Sequence, residues 1–405
     1  DDSIFELLYL LSIFCSFSGN ESLTTLIAQK AVNYTMVHGV SKFFPRTLLF
    51  WIPTLLKQGS FNIARKYGDL ASNISERFRG QHVYVEDQVC LQIFIFPLFR
   101  PLREGLDPLY EHQKELMKYC DKVVMKYGDN ETGVAAAMTY SIYYIASGLP
   151  LNSLLNKRLC LFEEKCKKFP SHSITFHCYR QFLLNLQGKS RHKTVLEGEA
   201  FDEEKMLNSL EGNAKKMALR DTSVCRLQLA FIFWDKACIE KLLDILAVYP
   251  QNDIIFARLF LRLGFVGLAA LALGKEMKNK TYLKLGYASM DYFKKVQKAG
   301  SLDARAMYMF LKAVATPGKQ AYDKAISECS ALKLVHLEAM ASERCGIFLE
   351  KKGSQELANH YITKAFCLYR DWGAIAKVNQ LKEQYGFLQN EQIQPDIDRN
   401  SMPKR

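Results

Sequence analysis

The sequence contains no segment in which apolar and polar residues alternate over the length of a strand, and proline is scarce, at 11 of 405 residues. Without that alternation and β-branched enrichment, a fold built on half-buried strands is excluded. Most prolines fall between helical stretches, as at Pro150, Pro170, Pro250 and Pro317. Glycines punctuate the chain at intervals of about one helix. The pattern predicts an all-α protein.

Cysteine pairs at metal-binding spacing are also absent. The 11 cysteines are scattered, none forms a CxxC pair, and most stand among apolar residues. An odd count and irregular spacing disfavour a disulfide framework and a zinc site. We therefore expect reduced, buried thiols in an intracellular, cytoplasmic protein.

The N-terminal apolar run from Ile4 to Phe17 lacks the features of a signal peptide. It has no basic region before it and no cleavage site of small residues. It is short for a membrane span and contains Glu6. We expect a buried first helix there and no membrane-spanning segment in the chain.

The motifs of common catalytic centres are missing. Gly188-Lys189-Ser190 matches the end of a phosphate-binding loop, but the glycine required five positions earlier is replaced by Leu183. Without that glycine the backbone amides cannot cradle phosphates. No HExxH or GxSxG sequence occurs. We expect no catalytic, cofactor-binding or metal-binding residues in this chain and no small-molecule substrate.

Several histidines and one acidic cluster are the remaining candidates for chemistry. His112 stands in a helical stretch without the neighbours of a phospho-accepting histidine, and His336 is interpreted as a helix-packing residue. His172 and His177, the latter next to Cys178, are at a spacing that does not place both imidazoles on one helix face. The acidic cluster is interpreted as a loop and a helix N-terminus, where carboxylates favour the helix dipole. Its members are Glu197, Glu199, Asp202, Glu203 and Glu204.

Positive charge is in excess, with a formal net charge of +12 and a pI near 9.0. The excess suits an anionic partner, although no dense run of like charge stands out. Two aromatic groups are candidates for stacking on nucleic acid, but both lie in apolar context and are predicted to be core. They are Phe94, Phe96 and Phe99, and Phe231, Phe233 and Trp234. The alternative function, a basic helical-repeat nucleic-acid binder, predicts Lys and Arg clustered on one concave face.

Small residues recur near the C-terminus at the spacing of a tetratricopeptide repeat. Gly346, Gly353, Ala358, Ile362 and Ala365 stand at relative positions 0, 7, 12, 16 and 19. Small residues let two helices approach closely, and the large residue fills the gap toward the next hairpin. Weaker units are Gly59, Ala64, Gly68 and Ala71; Gly128, Gly133, Ala137 and Tyr140; and Ala321, Ala325 and Ala331. The predicted architecture is a tetratricopeptide-like α-solenoid of stacked antiparallel helix pairs.

Two polar segments interrupt the helical pattern. Residues 188–204 are predicted to be a loop that connects an N-terminal helical-repeat half, residues 1–187, to a C-terminal half, residues 205–388. Residues 389–405 are predicted to be a disordered tail.

The stretch from Gly353 to Tyr385 is GSQELANHYITKAFCLYRDWGAIAKVNQLKEQY. It resembles the end of the helical-repeat region of large multisensor signalling kinases, in which a kinase-like domain and an AAA-type predicted ATPase precede the helices and GAF and histidine-kinase domains follow them. Residues 22–79, 101–104, 129–154 and 181–207 resemble the same region in order. The resemblance implies a non-catalytic interaction or relay module whose concave groove binds a protein partner or an adjacent signalling domain. It also implies a segment of a larger protein or a stand-alone adaptor.

Overall fold

A computed structural model describes residues 2–17, 21–79, 87–88, 91, 131–155, 159, 163, 174–248 and 256–389. Every regular element in these ranges is a helix, and an isolated antiparallel bridge joins Glu197 to Asp202. The all-α prediction is therefore confirmed for the described residues. The helices are α1 (Asp2–Phe17), α2 (Glu21–His38), α3 (Phe44–Lys57), α4 (Phe61–Ser75), α5 (Glu131–Ala146), α6 (Ile174–Leu186), α7 (Glu203–Asn208), α8 (Gly212–Phe233), α9 (Lys236–Ala247), α10 (Phe256–Glu276), α11 (Lys280–Lys298), α12 (Leu302–Ala315), α13 (Lys319–Ala331), α14 (Val335–Lys351), α15 (Gln355–Trp372) and α16 (Ile375–Gln384).

The buried apolar residues form two clusters. One lies among α1–α4 and includes Phe5, Leu48 and Ile52. The other runs from Tyr140 to Leu388 and joins residues on both sides of the predicted connecting loop. The division of the chain at 188–204 stays a prediction, as does the tail, which lies outside the described residues apart from Gln389.

The small-residue positions near the C-terminus pack as their spacing predicts. A Cβ on Gly346 of α14 would stand 2.7 Å from the side chain of Ile362 and 3.1 Å from the carbonyl oxygen of Ala358, both on α15. Ala365 is fully buried. Gly353, with φ +77°, forms the turn between the two helices. The close approach of α14 and α15 is thus confirmed, and the tetratricopeptide type of solenoid stays a prediction.

The weaker repeat units differ in how well they match the structure. Ala64, Gly68 and Ala71 are all buried on α4. In the unit near residue 325, Ala325 is buried but Ala331 is exposed. The unit that begins at Gly128 falls mostly outside the described side chains.

Residues 256–372 form three successive helical hairpins, α10–α11, α12–α13 and α14–α15. Their first helices are parallel neighbours, because Gly264 and Gly267 of α10 pack against Met307 and Leu311 of α12 in the same order. These first helices are buried on nearly every side, whereas α11, α13 and α15 each keep an exposed polar face. Parallel stacking of hairpins is the arrangement of a repeat array.

The first helices of the hairpins are covered by other parts of the chain. Helix α10 contacts α5 and α8, and α16 contacts both α6 and α8. On α14, His336 packs on Gly148 and Arg344 lies over the ring of Trp234. In an open array this face forms the concave binding groove. In residues 256–372, α5, α8 and α16 lie against part of this face. A partner in the concave groove stays a prediction.

Two apolar helices were candidates for burial or membrane insertion. Among the described helices, the stretch Ala257–Glu276 alone is long and apolar enough to cross a bilayer by length and composition, and 94% of its most apolar window is buried within the protein. The first helix, α1, is a correction to the prediction. It is only half-buried, because Phe5 and Cys15 face the core while Leu7 and Phe14 face solvent.

Candidate functional site

Helices α14, α15 and α16 meet the C-terminal end of α8 at one polar cluster, which we call the closure site. Helix α14 contributes two of its residues, α15 one and α16 two, and the C-terminal end of α8 lies against them. The residues are Glu343, Arg344, Tyr369, Lys377 and Gln380, with Trp234 at the end of α8.

A buried ion pair lies at the centre of the closure site. The Nζ atom of Lys377 is 2.6 Å from Oε1 of Glu343, and the Tyr369 hydroxyl donates to Oε2 of the same carboxylate at 2.8 Å. Lys377 also donates to the side-chain oxygen of Gln380 at 3.0 Å. Lys377 is 1% exposed and Glu343 is 8% exposed. Buried charges persist only when they are paired and hydrogen-bonded, and here both conditions hold.

The protonation of these groups follows from burial and mutual contact. Burial lowers the pKa of the Lys377 ammonium; the Glu343 carboxylate opposes this shift, and the charges of Arg344 and Lys193 add to it. Burial and the neighbouring Glu343 charge raise the pKa of Tyr369 well above its usual value, so the phenol keeps its proton and donates it. Each of these groups is hydrogen-bonded to another and is shielded from solvent. Such an arrangement is suited to holding helices together.

The C-terminal end of α8 is held by side chains that come more than a hundred residues later. Gln380 donates to the carbonyl oxygen of Phe233 at 3.1 Å, and Arg344 donates to that of Phe231 at 3.4 Å. The last carbonyls of a helix lack partners within it, and these two side chains supply them. Arg344 also stacks over the indole of Trp234 at 3.5 Å, a cation–π contact.

Trp234 has a backbone conformation that is uncommon for a bulky side chain. It lies in the left-handed region with φ 57° and ψ 45° and ends α8. This conformation costs an L-residue about 1–2 kcal/mol. The contacts of its ring with Arg344 and with Phe231, whose centroid is 6.1 Å away, offset that strain. Phe231 and Phe233 are buried, as predicted, whereas Phe94, Phe96 and Phe99 lie outside the described residues.

The predicted connecting loop is an ordered structure anchored to α6. The side-chain amide of Asn185 donates to the carbonyl oxygens of His192, Lys193 and Val195 at 3.1, 3.3 and 2.7 Å. Gln181 donates to Asn185 at 2.9 Å and accepts from the backbone N–H of Ala200. Both amide side chains are buried, so the loop folds around two polar groups of the helix core.

The Gly188-Lys189-Ser190 segment is a helix end. Gly188, with φ +78°, follows the last turn of α6, and Ser190 donates to the carbonyl oxygens of His192 and Glu197 at 3.1 Å. The Ser190 hydroxyl is therefore used within the loop.

The acidic cluster takes the role that was predicted for it. Asp202 caps α7 by accepting from the backbone N–H of Lys205 at 3.1 Å, and this hydrogen bond lowers its pKa. Glu203 pairs with Arg226 at 3.3 Å, and Glu199 pairs with Arg180 at 3.1 Å. Carboxylates at a helix N-terminus that are paired in this way stabilise the local fold.

In the part of the chain that the structure describes, the candidate nucleophiles and metal ligands do not converge on one centre. His177 and Asp202 border the same shallow, open depression between α6 and α7, whereas His112 and His172 lie outside the described residues. Burial raises the pKa of Cys178, which lies beside Cys225, and a protonated thiol is a poor nucleophile. Among the described residues, no group of three His, Cys, Asp or Glu side chains is arranged to hold a metal ion.

His336 lies at a second junction, between α14, the turn after α5 and the end of α15. Its ring is 5.5 Å from that of Trp372, and a Cβ on Gly148 would clash with its Nδ1. Within the described part of the chain, neither ring nitrogen of His336 nor the indole nitrogen of Trp372 has a hydrogen-bond partner. The helix-packing role predicted for His336 is confirmed.

We expect His336 to make the protein less stable in mild acid. Burial lowers the pKa of His336 to about 3, whereas in the unfolded chain the imidazole takes up its proton near its ordinary pKa of 6.5. Stability is therefore complete above pH 6.5 and is lost as the pH falls toward 3. Between pH 7.5 and pH 5 this residue should remove about 2 kcal/mol, measured by urea denaturation. A His336→Leu variant should lack this component, and the exposed His192→Leu should retain it. Equal pH dependence in all three proteins would refute the assignment.

The chain matches no protein-family model and no curated protein.

Proposed function

We propose that the chain is a non-catalytic helical-repeat interaction module, and that it docks another helical protein element on the outer face of α1. The observation that carries the proposal is the exposure of an apolar stripe. Ile4, Leu7, Leu11 and Phe14 are 44%, 56%, 41% and 71% exposed. Their spacing places them along one side of the helix.

The occupant of this stripe is best described as a protein helix. Contiguous apolar surface on a soluble protein marks a site of interaction. Helix α1 exposes such a surface in the described part of the chain, and we infer that a partner covers it. Leu23 and Leu26 of α2, 40% and 51% exposed, add to the apolar surface of this end. Ile4, Leu7 and Leu11 stand at positions i, i+3 and i+7 of α1. Apolar residues at this spacing fit the groove of a facing amphipathic helix.

A lipid surface fits this stripe less well. Helices that lie on membranes carry Lys and Arg on their polar face. The sequence of α1, DSIFELLYLLSIFCSF, contains Glu6 and no Lys or Arg. An anionic bilayer would therefore gain no electrostatic attraction from α1.

The packing of the hairpins against other helices of the chain supports the role of an interaction or relay module. Because α5, α8 and α16 lie against the hairpins of residues 256–372, a partner on α1 would meet the outside of a preassembled body. The similarity to the helical region of multisensor signalling kinases suggests the partner, which is a neighbouring ATPase-like or kinase-like domain or a separate intracellular protein. In this role the chain requires no cofactor and no small-molecule substrate.

Site-specific cross-linking tests the docking face. In the test protein, the photoreactive residue p-benzoylphenylalanine replaces Phe14, and the protein is expressed in the cells that naturally produce it. In the matched control protein the same residue replaces Ile63 of α4, which is 48% exposed. We expect irradiation at position 14 to give one predominant protein adduct that a Leu7→Glu change abolishes. The same adduct from position 63, or only lipid adducts from position 14, would overturn the proposal.

A further inference from the structure

One edge of the hairpin array carries an excess of basic residues. The turns that join α10 to α11, α12 to α13 and α14 to α15 lie on this edge because the first helices of these hairpins are parallel. The turn from α8 to α9 lies beside them, since Lys236 pairs with Glu276. We call its basic residues the lysine rim. They are Lys193, Lys236, Lys275, Lys278, Lys280, Lys312, Lys319, Lys351 and Lys352.

Direct contacts place these turns side by side. Lys236, at the start of α9, pairs with Glu276 at the end of α10, and Lys275 donates to the carbonyl oxygen of Ala315 at the end of α12. Lys319, at the start of α13, lies over the ring of Tyr361 on α15 at 5.9 Å. The chain of contacts therefore runs without interruption from α9 to α15.

The loop before α7 joins the same edge. Thr194 and Asp235 are hydrogen-bonded at 3.0 Å across the α8–α9 turn, and Lys193 lies over the Phe233 ring at 5.9 Å. Parallel helices pack about 8–10 Å apart, so the part of the rim carried by α10, α12 and α14 extends over about 20 Å.

The rim carries a larger excess of positive charge than the opposite edge. Acidic residues on the rim are fewer than the lysines, and two of them are paired with rim lysines; they are Asp235, Glu276, Asp323, Glu350 and Glu356. At the opposite edge of the same three hairpins, basic and acidic residues nearly balance, with five against four. These are Lys295, Lys298, Arg305, Lys333 and Arg370, against Asp303, Glu328, Glu338 and Asp371. Charge of one sign along an edge attracts an extended anion.

We propose that the lysine rim binds the phosphate backbone of a nucleic-acid duplex without reading its sequence. Lysine is depleted in protein–protein interfaces, so an edge built from it fits phosphates better than an acidic protein. Lysine acts on phosphates as a point charge, and such contacts carry no base information. The part of the rim on α10, α12 and α14 spans more than half of one helical turn of duplex, which is roughly 34 Å long. The buried Arg258 and Arg262, 7% and 3% exposed, take no part.

Removal of rim charge, compared with equal removal elsewhere, tests this proposal. The rim variant changes Lys278, Lys280, Lys351 and Lys352 to Gln. The control variant changes four exposed lysines of α11 and α13 to Gln, and these are Lys284, Lys294, Lys298 and Lys324. Both variants lose the same net charge, and circular dichroism confirms that both fold. Affinity is measured by fluorescence anisotropy with a 20-base-pair duplex, at several salt concentrations, and with polyglutamate.

We expect the wild-type protein to bind the duplex with a micromolar Kd at low salt. The rim variant should bind at least about 10-fold more weakly, and its salt slope should fall by about one for each lysine that contacts a phosphate. The control variant should stay within about 2-fold of wild type. Equal losses in both variants, no binding by wild type, or tighter rim-dependent binding of polyglutamate than of duplex would each overturn the proposal.

Discussion

The Lys377→Met variant should lose about 3–5 kcal/mol of unfolding free energy, the range for removing one partner of a buried ion pair. Methionine keeps much of the volume of lysine but leaves the Glu343 carboxylate buried with the Tyr369 hydroxyl as its remaining donor. Lys377 is 1% exposed, so solvent cannot take its place. Urea denaturation followed by tryptophan fluorescence measures the loss, because Trp234 and Trp372 lie near the two junctions of the array.

A second substitution separates the loss of the pair from the loss of packing. In the Lys377→Met, Glu343→Gln double variant no charge is left unpaired, and Gln can still accept from Tyr369. We expect this protein to lie within about 1.5 kcal/mol of wild type, since replacing both partners is often nearly neutral. Lys352→Met, on the exposed end of α14, should change stability by less than about 0.5 kcal/mol. A double variant as unstable as Lys377→Met would show that the ion pair is not the cause.

The Gly346→Val variant should lose about 3 kcal/mol, the upper range for overpacking a core. The Cβ atom alone would stand 2.7 Å from Ile362 and 3.1 Å from the backbone oxygen of Ala358, and the second contact cannot relax by a rotamer change. Thermal and urea denaturation measure the effect. Gly386→Val is the matched control, because a Cβ there meets nothing within 4 Å. Similar stabilities for the two variants would contradict the close packing of α14 on α15.

Local features of the fold could be predicted from the sequence. The spacing of Gly346, Ala358 and Ile362 predicts contact between two helices that follow each other in the chain. One short segment therefore contains the whole contact. The cap of α7 by Asp202 and the burial of Phe231 and Phe233 are likewise properties of short stretches. The half-exposed α1 was missed because the apolar run from Ile4 to Phe17 carries too few polar residues to reveal which side is covered.

The closure of the array could not be predicted in this way. Gln380 meets the carbonyl of Phe233, and Arg344 meets Trp234, across separations that leave no periodic signal in the sequence. The lysine rim could not be predicted from the sequence for the same reason. Its residues are dispersed singly or in pairs over 160 positions, which is why no dense run of charge stands out, and only the parallel stacking of α8, α10, α12 and α14 brings them together.

The two proposed surfaces follow from the closed array. Helices α5, α8 and α16 lie against the inner face of the hairpins, and the described residues present two outer surfaces that differ in character. The stripe on α1 is apolar and suits a protein helix, whereas the lysine rim is charged and suits phosphates. The two surfaces can be tested independently, since neither set of substitutions touches the other.

Native-state hydrogen exchange of residues 131–389 tests the closed array most directly. If α8, α14 and α16 form one cooperative unit, their slowest amides exchange with the same free energy, and Lys377→Met lowers all three together. An open array would instead let α16 exchange at a much lower free energy than α8 and α14. In that case Lys377→Met would change α16 alone, and the account of a closed, preassembled body would be contradicted.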